Sequence, residues 1–172
     1  HTAILGEHTT VKSHAYYSRY GFELYSNFTF FLNDSVNGDQ IKQFERRNLA
    51  GFESMVDHHF HLKKGTIGLK GGLGFRHDDV NDVELSHTAN RDSLLMPFAL
   101  GDIDESNIYA FVGAELEFGD FLINPAVRLD HFKFDYHDKL DTVYSNRSEQ
   151  ALKPSPKLNI IYSQSERWQI SL

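Results

Sequence analysis

Two histidines stand two residues apart in the segment DHHFH, a spacing that could bring two metal ligands together. On an extended strand His59 and His61 share one face, so their imidazole nitrogens would lie side by side. Zn²⁺ and other transition metals take such ligands. The chain holds 10 histidines, and a polar lining or interface role is the alternative for this pair. We predict no cofactor and keep His59 and His61 as a candidate metal pair.

Carboxylates concentrate between residues 78 and 106, where eight acidic residues accompany a single arginine. This segment could capture a cationic ligand or Ca²⁺, which takes about 6–8 oxygen ligands. The alternative is a solvated loop that faces an anionic lipopolysaccharide layer, since no calcium-loop spacing is present. We expect the segment to be the longest loop and to contact ligand. The predicted ligand-contact residues are Asp78, Asp79, Asp82, Glu84, Arg91, Asp102, Asp104 and Glu105.

Charged residues also recur two apart on single strands, as in Glu115 with Glu117 and Arg128 with Asp130. A carboxylate pair can perform general acid–base catalysis. Same-face charges on a sheet more often form ladders with the neighbouring strands. Neither a nucleophile elbow nor a phosphate loop nor a metalloprotease motif accompanies them. We therefore predict that the chain is not an enzyme.

The elements that must position these residues are strands. Helical periodicity is weak, whereas apolar and polar residues alternate with a period of two over long segments. The segment Gly65–Asp79, for example, places Ile67, Leu69, Leu73 and Phe75 on one face and glycines on the other. With a first strand near 11–17, about eight strands are predicted. The other segments are FELYSNFTFFL, AGFESMVDHHFHL, NIYAFVGAELEF, INPAVRLD, SPKLNIIY and RWQISL.

The predicted connections alternate between short and long, as in bacterial outer-membrane barrels with tight periplasmic turns and long extracellular loops. Tight turns are predicted at 19–21, 63–65, 119–120 and 163–166, and long loops near 33–40, 78–106 and 136–153. Several strands approach the length of about 9–11 residues that crosses a bilayer. Aromatic residues cluster beside the tight turns, as in an interfacial girdle. The predicted fold class is all-β, with about eight antiparallel up-and-down transmembrane strands from a larger barrel.

Composition excludes several other classes. No apolar run is long enough for a transmembrane helix. The absence of cysteine rules out disulfides and thiolate metal sites. The net charge of −7 and the lack of a basic stripe predict no nucleic-acid partner. The chain opens without an initiator methionine or signal peptide, so we expect it to be a piece of something larger.

Several segments, in succession, resemble the barrel of TonB-dependent outer-membrane receptors. They are SNFTFFLNDSVNGDQIKQFERR, LKGGLGFRHDD, GDIDESNIYAFVGAELEFGDFLINPAVRLDHFKFDY and SPKLNIIYSQSERWQISL. The resemblance covers most of the chain and implies a bacterial outer-membrane location. It implies energy-dependent uptake of a scarce ligand, namely a siderophore, haem, cobalamin or a glycan. Residues 1–172 would then be part of such a barrel, without the N-terminal plug domain or the TonB-box peptide.

The resemblance also implies partners. They are outer-membrane lipid, the plug domain, the remaining barrel strands and the TonB complex, which would be reached through the missing N-terminal region. The apolar face of Gly65–Asp79 would contact lipid, and its glycines would let the plug approach the backbone closely. The residues expected to face the lumen or the plug are Glu53, Lys70, Arg76, Glu115, Glu117, Arg128 and Asp130.

Two other interpretations stay open at this stage. A small, closed, eight-stranded outer-membrane barrel, acting as a structural anchor or adhesin, suits the length and the number of strands. Its interior would have to be filled by its own side chains, which a glycine-rich face does poorly. A soluble β-barrel or sandwich that binds a ligand is the second alternative, and it predicts a monomer that folds without detergent.

Overall fold

The computed structural model describes residues 1–140, 145–165 and 168–171, and all regular structure in them is β. The strands are β1 (Thr2–Leu5), β2 (Thr9–Ser26), β3 (Ile41–Leu62), β4 (Gly65–Ala89), β5 (Ser93–Phe118), β6 (Phe121–Asp138), β7 (Arg147–Ser165) and β8 (Trp168–Ser171). Within the described residues no helix is long and apolar enough to cross a bilayer. The all-β prediction is confirmed.

The eight strands form one sheet in which each strand pairs with its sequence neighbour, always antiparallel. This up-and-down order confirms the predicted topology. In the described part of the chain β1 and β8 are the two edges and do not pair with each other, so the sheet is open. The pairing contradicts a small barrel closed by these eight strands.

Two of the predicted tight turns are confirmed and one is wrong. β3 and β4 are joined through Lys63–Lys64, and β5 and β6 through Gly119–Asp120, where Gly119 has a left-handed φ of 58°. Residues 19–21 instead lie inside β2, because Gly21 keeps an ordinary strand pairing with Arg46. The first turn falls at residues 6–8. The last predicted turn begins too early, since β7 runs to Ser165; residues 166 and 167 lie outside the described residues.

The loop predicted over residues 78–106 is wrong. β4 continues to Ala89 and β5 begins at Ser93, so the two strands, of 25 and 26 residues, form one long hairpin. The strand pairing continues there, and charged side chains such as Asp79 and Asp104 follow the face that carries Phe75; a high density of charge therefore does not indicate a loop in this segment. The long loop predicted at 136–153 is likewise shorter, because β6 ends at Asp138 and β7 begins at Arg147.

The opposite error occurs after β2, where FELYSNFTFFL was predicted to be one strand. β2 ends at Ser26, and residues 27–40 form a loop. Phe30 has a φ of 57°, a left-handed conformation outside the β region that regular strand residues occupy. The Asp39 carboxylate accepts hydrogen bonds from the backbone N–H groups of Asn33 and Asp34, and such local bonds compete with a strand ladder.

One face of the sheet carries a continuous apolar band. Its lower rows across β3 to β7 are Leu62, Gly65, Phe118, Phe121 and Tyr162, and then Phe60, Ile67, Leu116, Ile123 and Ile160. Its top row is Phe52, Phe75, Ile108, His131 and Leu152. The side chains are well exposed, Leu73 at 58%. The band covers about 11 residues of each strand, close to the length that crosses a bilayer.

The polarity of the two faces reverses above this band. Two rows above Phe75, the face that carried apolar residues presents Asn48, Asp79, Asp104, Asp135 and Ser148. The opposite face becomes apolar at Val80 and Ile103, and Val80 is only 2% exposed. The sheet therefore has two zones. In the lower zone the face that carries the band is apolar, and in the upper zone the opposite face is apolar.

The predicted lipid contact of the band has a direct test. In the full receptor that carries this chain, Leu69→Arg places a charge near the middle of the band and should lower the free energy of unfolding in lipid by about 2–4 kcal/mol. His77→Arg lies on the same face above the band and should cost about 0–1 kcal/mol. Urea unfolding in bilayers measures both, and equal costs would contradict the assignment.

Candidate functional site

The face opposite the apolar band carries the residues predicted to face the lumen. Cross-strand pairing places them on this one surface, which we call the polar face. Its members from the prediction are Glu53, Lys70, Arg76, Glu115, Glu117, Arg128 and Asp130. Their shared face follows from the register, while their contact with a plug stays a prediction.

One charged network spans four strands of the polar face. The Tyr109 hydroxyl on β5 donates to Glu53 on β3, reaching across Gly74 of β4. The Arg128 guanidinium on β6 lies 3.6 Å from the centre of the Tyr109 ring, a cation–π contact. Arg128 also donates from Nη2 to Oδ1 of Asp130 at 2.7 Å. Glu53, Arg128 and Asp130 are therefore held by partners within the sheet.

A second network lies directly above the first. The Asp78 side chain is fully buried and accepts hydrogen bonds from Nε and Nη2 of Arg76, both at 2.8 Å. Arg47 of β3 contacts the same carboxylate through Nη1 at 3.3 Å. Arg47 also approaches Glu45 and lies over the Tyr20 ring. A buried carboxylate needs such partners to remain charged, so Asp78 acts here as a structural ion.

Three glycines of the polar face, Gly51, Gly72 and Gly74, are covered by aromatic rings from the neighbouring strand. Tyr109 lies over Gly74 so closely that a methyl group on Gly74 would overlap its ring, and such a group on Gly72 would lie 2.8 Å from Phe111. Tyr16 covers Gly51 in the same way. The prediction that a plug could approach Gly72 and Gly74 closely is therefore wrong, because the rings occupy that space.

A shallow depression of about 200 Å³ remains lower on the polar face, near the short turns. Its floor consists of Gly68, Gly113 and Ala126, and the His59 ring lies 3.2 Å from where a Cβ of Gly68 would be. Charged and polar side chains of both signs surround it, namely Asp57, His59, Lys70, Glu115, Asn124 and Lys157. The depression, as lined by the described residues, therefore has small residues at its base and charged or polar residues around it.

The histidine pair does not form a metal centre in the described part of the chain. The His59 Nε2 lies 3.0 Å from an oxygen of Asp57, while the His61 ring lies 5.1 Å from the His8 ring. No group of three or more His, Cys, Asp or Glu residues there is arranged to hold a metal ion. Two ligands fall short of the three or four that zinc sites use.

The acidic residues predicted to contact ligand are distributed over both faces of the β4–β5 hairpin. Asp78 and Glu105 lie on the polar face, and Asp79 and Asp104 on the other. Most have partners within the chain: Asp79 binds Asn48 and Asn81, Asp82 binds Arg46 and Lys139, Glu84 binds Lys42, and Asp102 binds Lys139. Arg91 lies in the turn, with its guanidinium over the Tyr25 ring. They do not converge on one cation site, and their role in ligand contact stays a prediction.

Electrostatics supports this structural role above the band. The Lys139 ammonium donates to Asp82 at 2.8 Å and to Asp102 at 2.6 Å. The hydrogen bond from Lys139 lowers the pKa of Asp82, and Arg46 acts in the same direction. Asp82 also has a left-handed backbone at a bulge between β4 and β5. The cluster therefore ties β3, the hairpin and the end of β6 together.

The loop at residues 27–40 is held by two carboxylates. Asp39 accepts from the backbone of Asn33 and Asp34, and Asp34 accepts from the backbone of Val36 and Asn37. Desolvation opposes ionisation of Asp39, but the backbone hydrogen bonds outweigh it and lower its pKa to about 2. The Phe30 carbonyl accepts from the Asp39 N–H at 2.6 Å. The loop thus has a defined backbone.

Sequence reasoning did not identify the tyrosines and phenylalanines that cover the glycines. Tyr109 and Phe111 were assigned only to a strand face. Their role depends on which residue of β4 lies opposite each of them. That register is set by strand pairing and cannot be read from either strand alone. The signal was a run of glycines on one strand with aromatic residues at matching spacing on the next, a pattern known to stabilise designed sheets.

These observations define a class of protein. An open, up-and-down antiparallel sheet with an apolar band on one face and charged networks on the other is a stretch of β-barrel wall. The model of the family described as "TonB dependent receptor-like, beta-barrel" matches residues 2–172. The chain belongs to this family. No curated protein matches it.

Among solved structures the chain is similar to the ferric citrate transporter FecA in its unliganded form. The TM-score is 0.78 at 12% sequence identity, and the match covers 99% of this chain. At that identity the likeness concerns the fold. The chain spans 25% of the length of the solved transporter, so the likeness extends to part of its barrel.

The covered glycines predict a steric coupling between β4 and β5. In the full receptor Gly74→Ala should displace the Tyr109 ring and lower the free energy of unfolding by about 1–3 kcal/mol. The Tyr109→Ala background removes the ring and should abolish most of that cost. Gly71→Ala lies on the other face, with its nearest neighbour 3.6 Å away, and should be nearly neutral. Additive costs of Gly74→Ala and Tyr109→Ala would contradict the coupling.

Acidification should open the loop at residues 27–40. The folded pKa of Asp39 is depressed, so its stabilising effect is present above about pH 4, the usual range of an aspartate. It is lost as the pH falls towards the folded value of about 2. Pepsin should therefore cut near Phe30 and Phe31 at pH 2 but slowly at pH 4. Asp39→Ala should allow rapid cutting at pH 4, and Asp92→Ala should not. Equal cutting rates at pH 4 would refute this role of Asp39.

Proposed function

We propose that this chain is part of the barrel wall of a bacterial outer-membrane receptor that imports a scarce ligand with energy from the TonB complex. The observation that carries the proposal is the two-sided construction of the sheet. The apolar band would contact lipid, and the paired charges of the polar face would line the lumen. Family membership supports the same function. Catalysis is not proposed, because the paired charges are used in structural networks.

We propose that the plug domain contacts the depression floored by Gly68, Gly113 and Ala126. Three small residues there leave room for a side chain from another domain. The surrounding charges of both signs could pair with polar groups of the plug. A charged interface of this kind is suited to contacts that must loosen during transport, because its groups can also be solvated by water.

The ligand itself is proposed only by class. The similar solved structure is described as a ferric citrate transporter. For this receptor the proposed candidates are a siderophore, haem, cobalamin and a glycan. The acidic residues between 78 and 106 remain predicted ligand contacts. Their internal pairing to Arg46, Lys42 and Lys139 means that a ligand would have to displace existing ion pairs.

Uptake is tested in cells that carry or lack the full receptor. Growth under limitation of iron, cobalamin or a complex glycan should depend on the receptor for one of these nutrients. A protonophore, or deletion of TonB, should abolish the difference. If the receptor conferred no advantage for any of them, or if its advantage survived without TonB, the proposed function would be wrong.

The proposed plug contact predicts a sharp difference between two adjacent residues. Ala126→Trp fills the depression on the polar face and should displace the plug, increase its cleavage by protease and reduce uptake at least about tenfold. Val127→Trp points to the opposite, apolar face and should leave both readouts unchanged. Heat-modifiable migration of the barrel checks that both variants fold. Normal plug protection in Ala126→Trp would argue against this contact.

A further inference from the structure

A second depression lies at the end of the sheet away from the short turns, between the loop at residues 27–40 and the β4–β5 hairpin. Its volume is about 550 Å³, within the range of small-molecule sites. The loop, β3, β4 and β5 all contribute to it. Its lining residues are Thr29, Asn33, Asp34, Ser35, Asp39, Ile41, His87, Met96 and Phe98. We refer to it as the loop pocket.

The loop pocket lies on the polar face of the sheet. Ile41 pairs with His87, and His87 pairs with Met96, so these side chains follow the surface that carries Val80 and Ile103. The His87 ring nitrogen Nε2 contacts the Gly38 carbonyl oxygen at 2.6 Å and fastens the loop to β4. The backbone N–H of Thr88 donates to the carbonyl of Gln40 at 2.8 Å. The loop is therefore held against the β4–β5 hairpin by these two contacts.

The loop backbone is fixed in a conformation that local preference opposes. Phe30 holds a φ of 57°, which is rare and strained for a bulky residue. It persists because the two loop carboxylates and the bond from Asp39 to the Phe30 carbonyl determine the backbone. Such maintained strain clusters at ligand-binding sites. The pocket is thus formed before any ligand arrives.

The charge of the lining selects against ionic ligands. Among the nine described lining residues there are two carboxylates and no lysine or arginine, so an anion would be repelled. Asp34 and Asp39 already accept several hydrogen bonds each from the loop. A cation would have to break these bonds, and with them the loop. The nearby charges of Lys42 and Glu84 belong to a different depression on the opposite face.

What remains is a mixed lining suited to a neutral ligand. Ile41, Met96 and Phe98 form an apolar wall. The Ser35 hydroxyl can donate and accept a hydrogen bond, and the Thr29 hydroxyl, which donates to Asp39, can still accept one. We propose that the loop pocket binds a neutral, hydroxyl-bearing ligand with an apolar face, the chemistry of a sugar ring. This inference rests on the proposed uptake function and names the class of ligand that the receptor takes up.

The test uses the full receptor in lipid nanodiscs and an array of neutral oligosaccharides, their carboxylated counterparts, and ferric citrate as an anionic probe. At least one neutral oligosaccharide should bind, and more tightly than its carboxylated counterpart. Met96→Asp should weaken that binding by at least about tenfold. Leu94→Asp is the matched control, because Leu94 is similarly exposed, lies two residues away and belongs to the depression beside Lys42.

Three results would overturn the assignment. They are the absence of binding to every neutral oligosaccharide, tighter binding of ferric citrate or the carboxylated sugars, and equal affinities for Met96→Asp and Leu94→Asp. Each is distinguishable from failure of the uptake proposal, because TonB-dependent growth is measured separately. A receptor that imports an anionic ligand with TonB would keep the proposed function and lose this pocket assignment. Urea midpoints equal to that of the unmodified receptor establish that both variants are folded.

Discussion

A strand that crosses a bilayer has no water to satisfy its backbone N–H and C=O groups, so every such group must pair with a neighbouring strand. The ladders across β3 to β7 supply most of this pairing within the apolar band. Once the ladder is fixed, the register decides which side chains meet. The ion-pair networks, the covered glycines and the loop pocket all depend on that register.

The register also explains why glycine and aromatic residues occur together. A barrel wall bends, and glycine allows close approach of a neighbour, but a bare backbone on the polar face would weaken the strand. Rings from β2 and β5 lie on Gly51, Gly72 and Gly74 and supply the missing packing. The Tyr109 ring also makes a cation–π contact with Arg128, and its hydroxyl donates to Glu53. Packing and electrostatics are therefore joined in one residue.

Prediction from sequence succeeded where a local pattern determines the structure. Alternation identified β3 to β7 and the apolar face of Gly65–Asp79, because period two is a property of the strand alone. It failed at residues 78–106, where charge was taken for a loop, although β4 and β5 continue as charged strands. It also missed the end of β2 at Ser26, since the loop that follows depends on hydrogen bonds accepted by the Asp39 carboxylate, 13 residues further along the chain.

The reversal of polarity above the band explains why residues 78–106 do not continue the apolar pattern, and it bears on function. Hydrocarbon requires an apolar outer face, and the requirement ends where the hydrocarbon ends. Beyond that level the outer face can carry Asp79 and Asp104, while Val80 and Ile103 turn inwards. An inner surface that becomes apolar only at the outer end offers a ligand a kind of contact that the charged surface below does not. Under the proposed function, ligand binding and plug contact would therefore occupy separate zones of the same strands, and a substitution in one zone need not disturb the other.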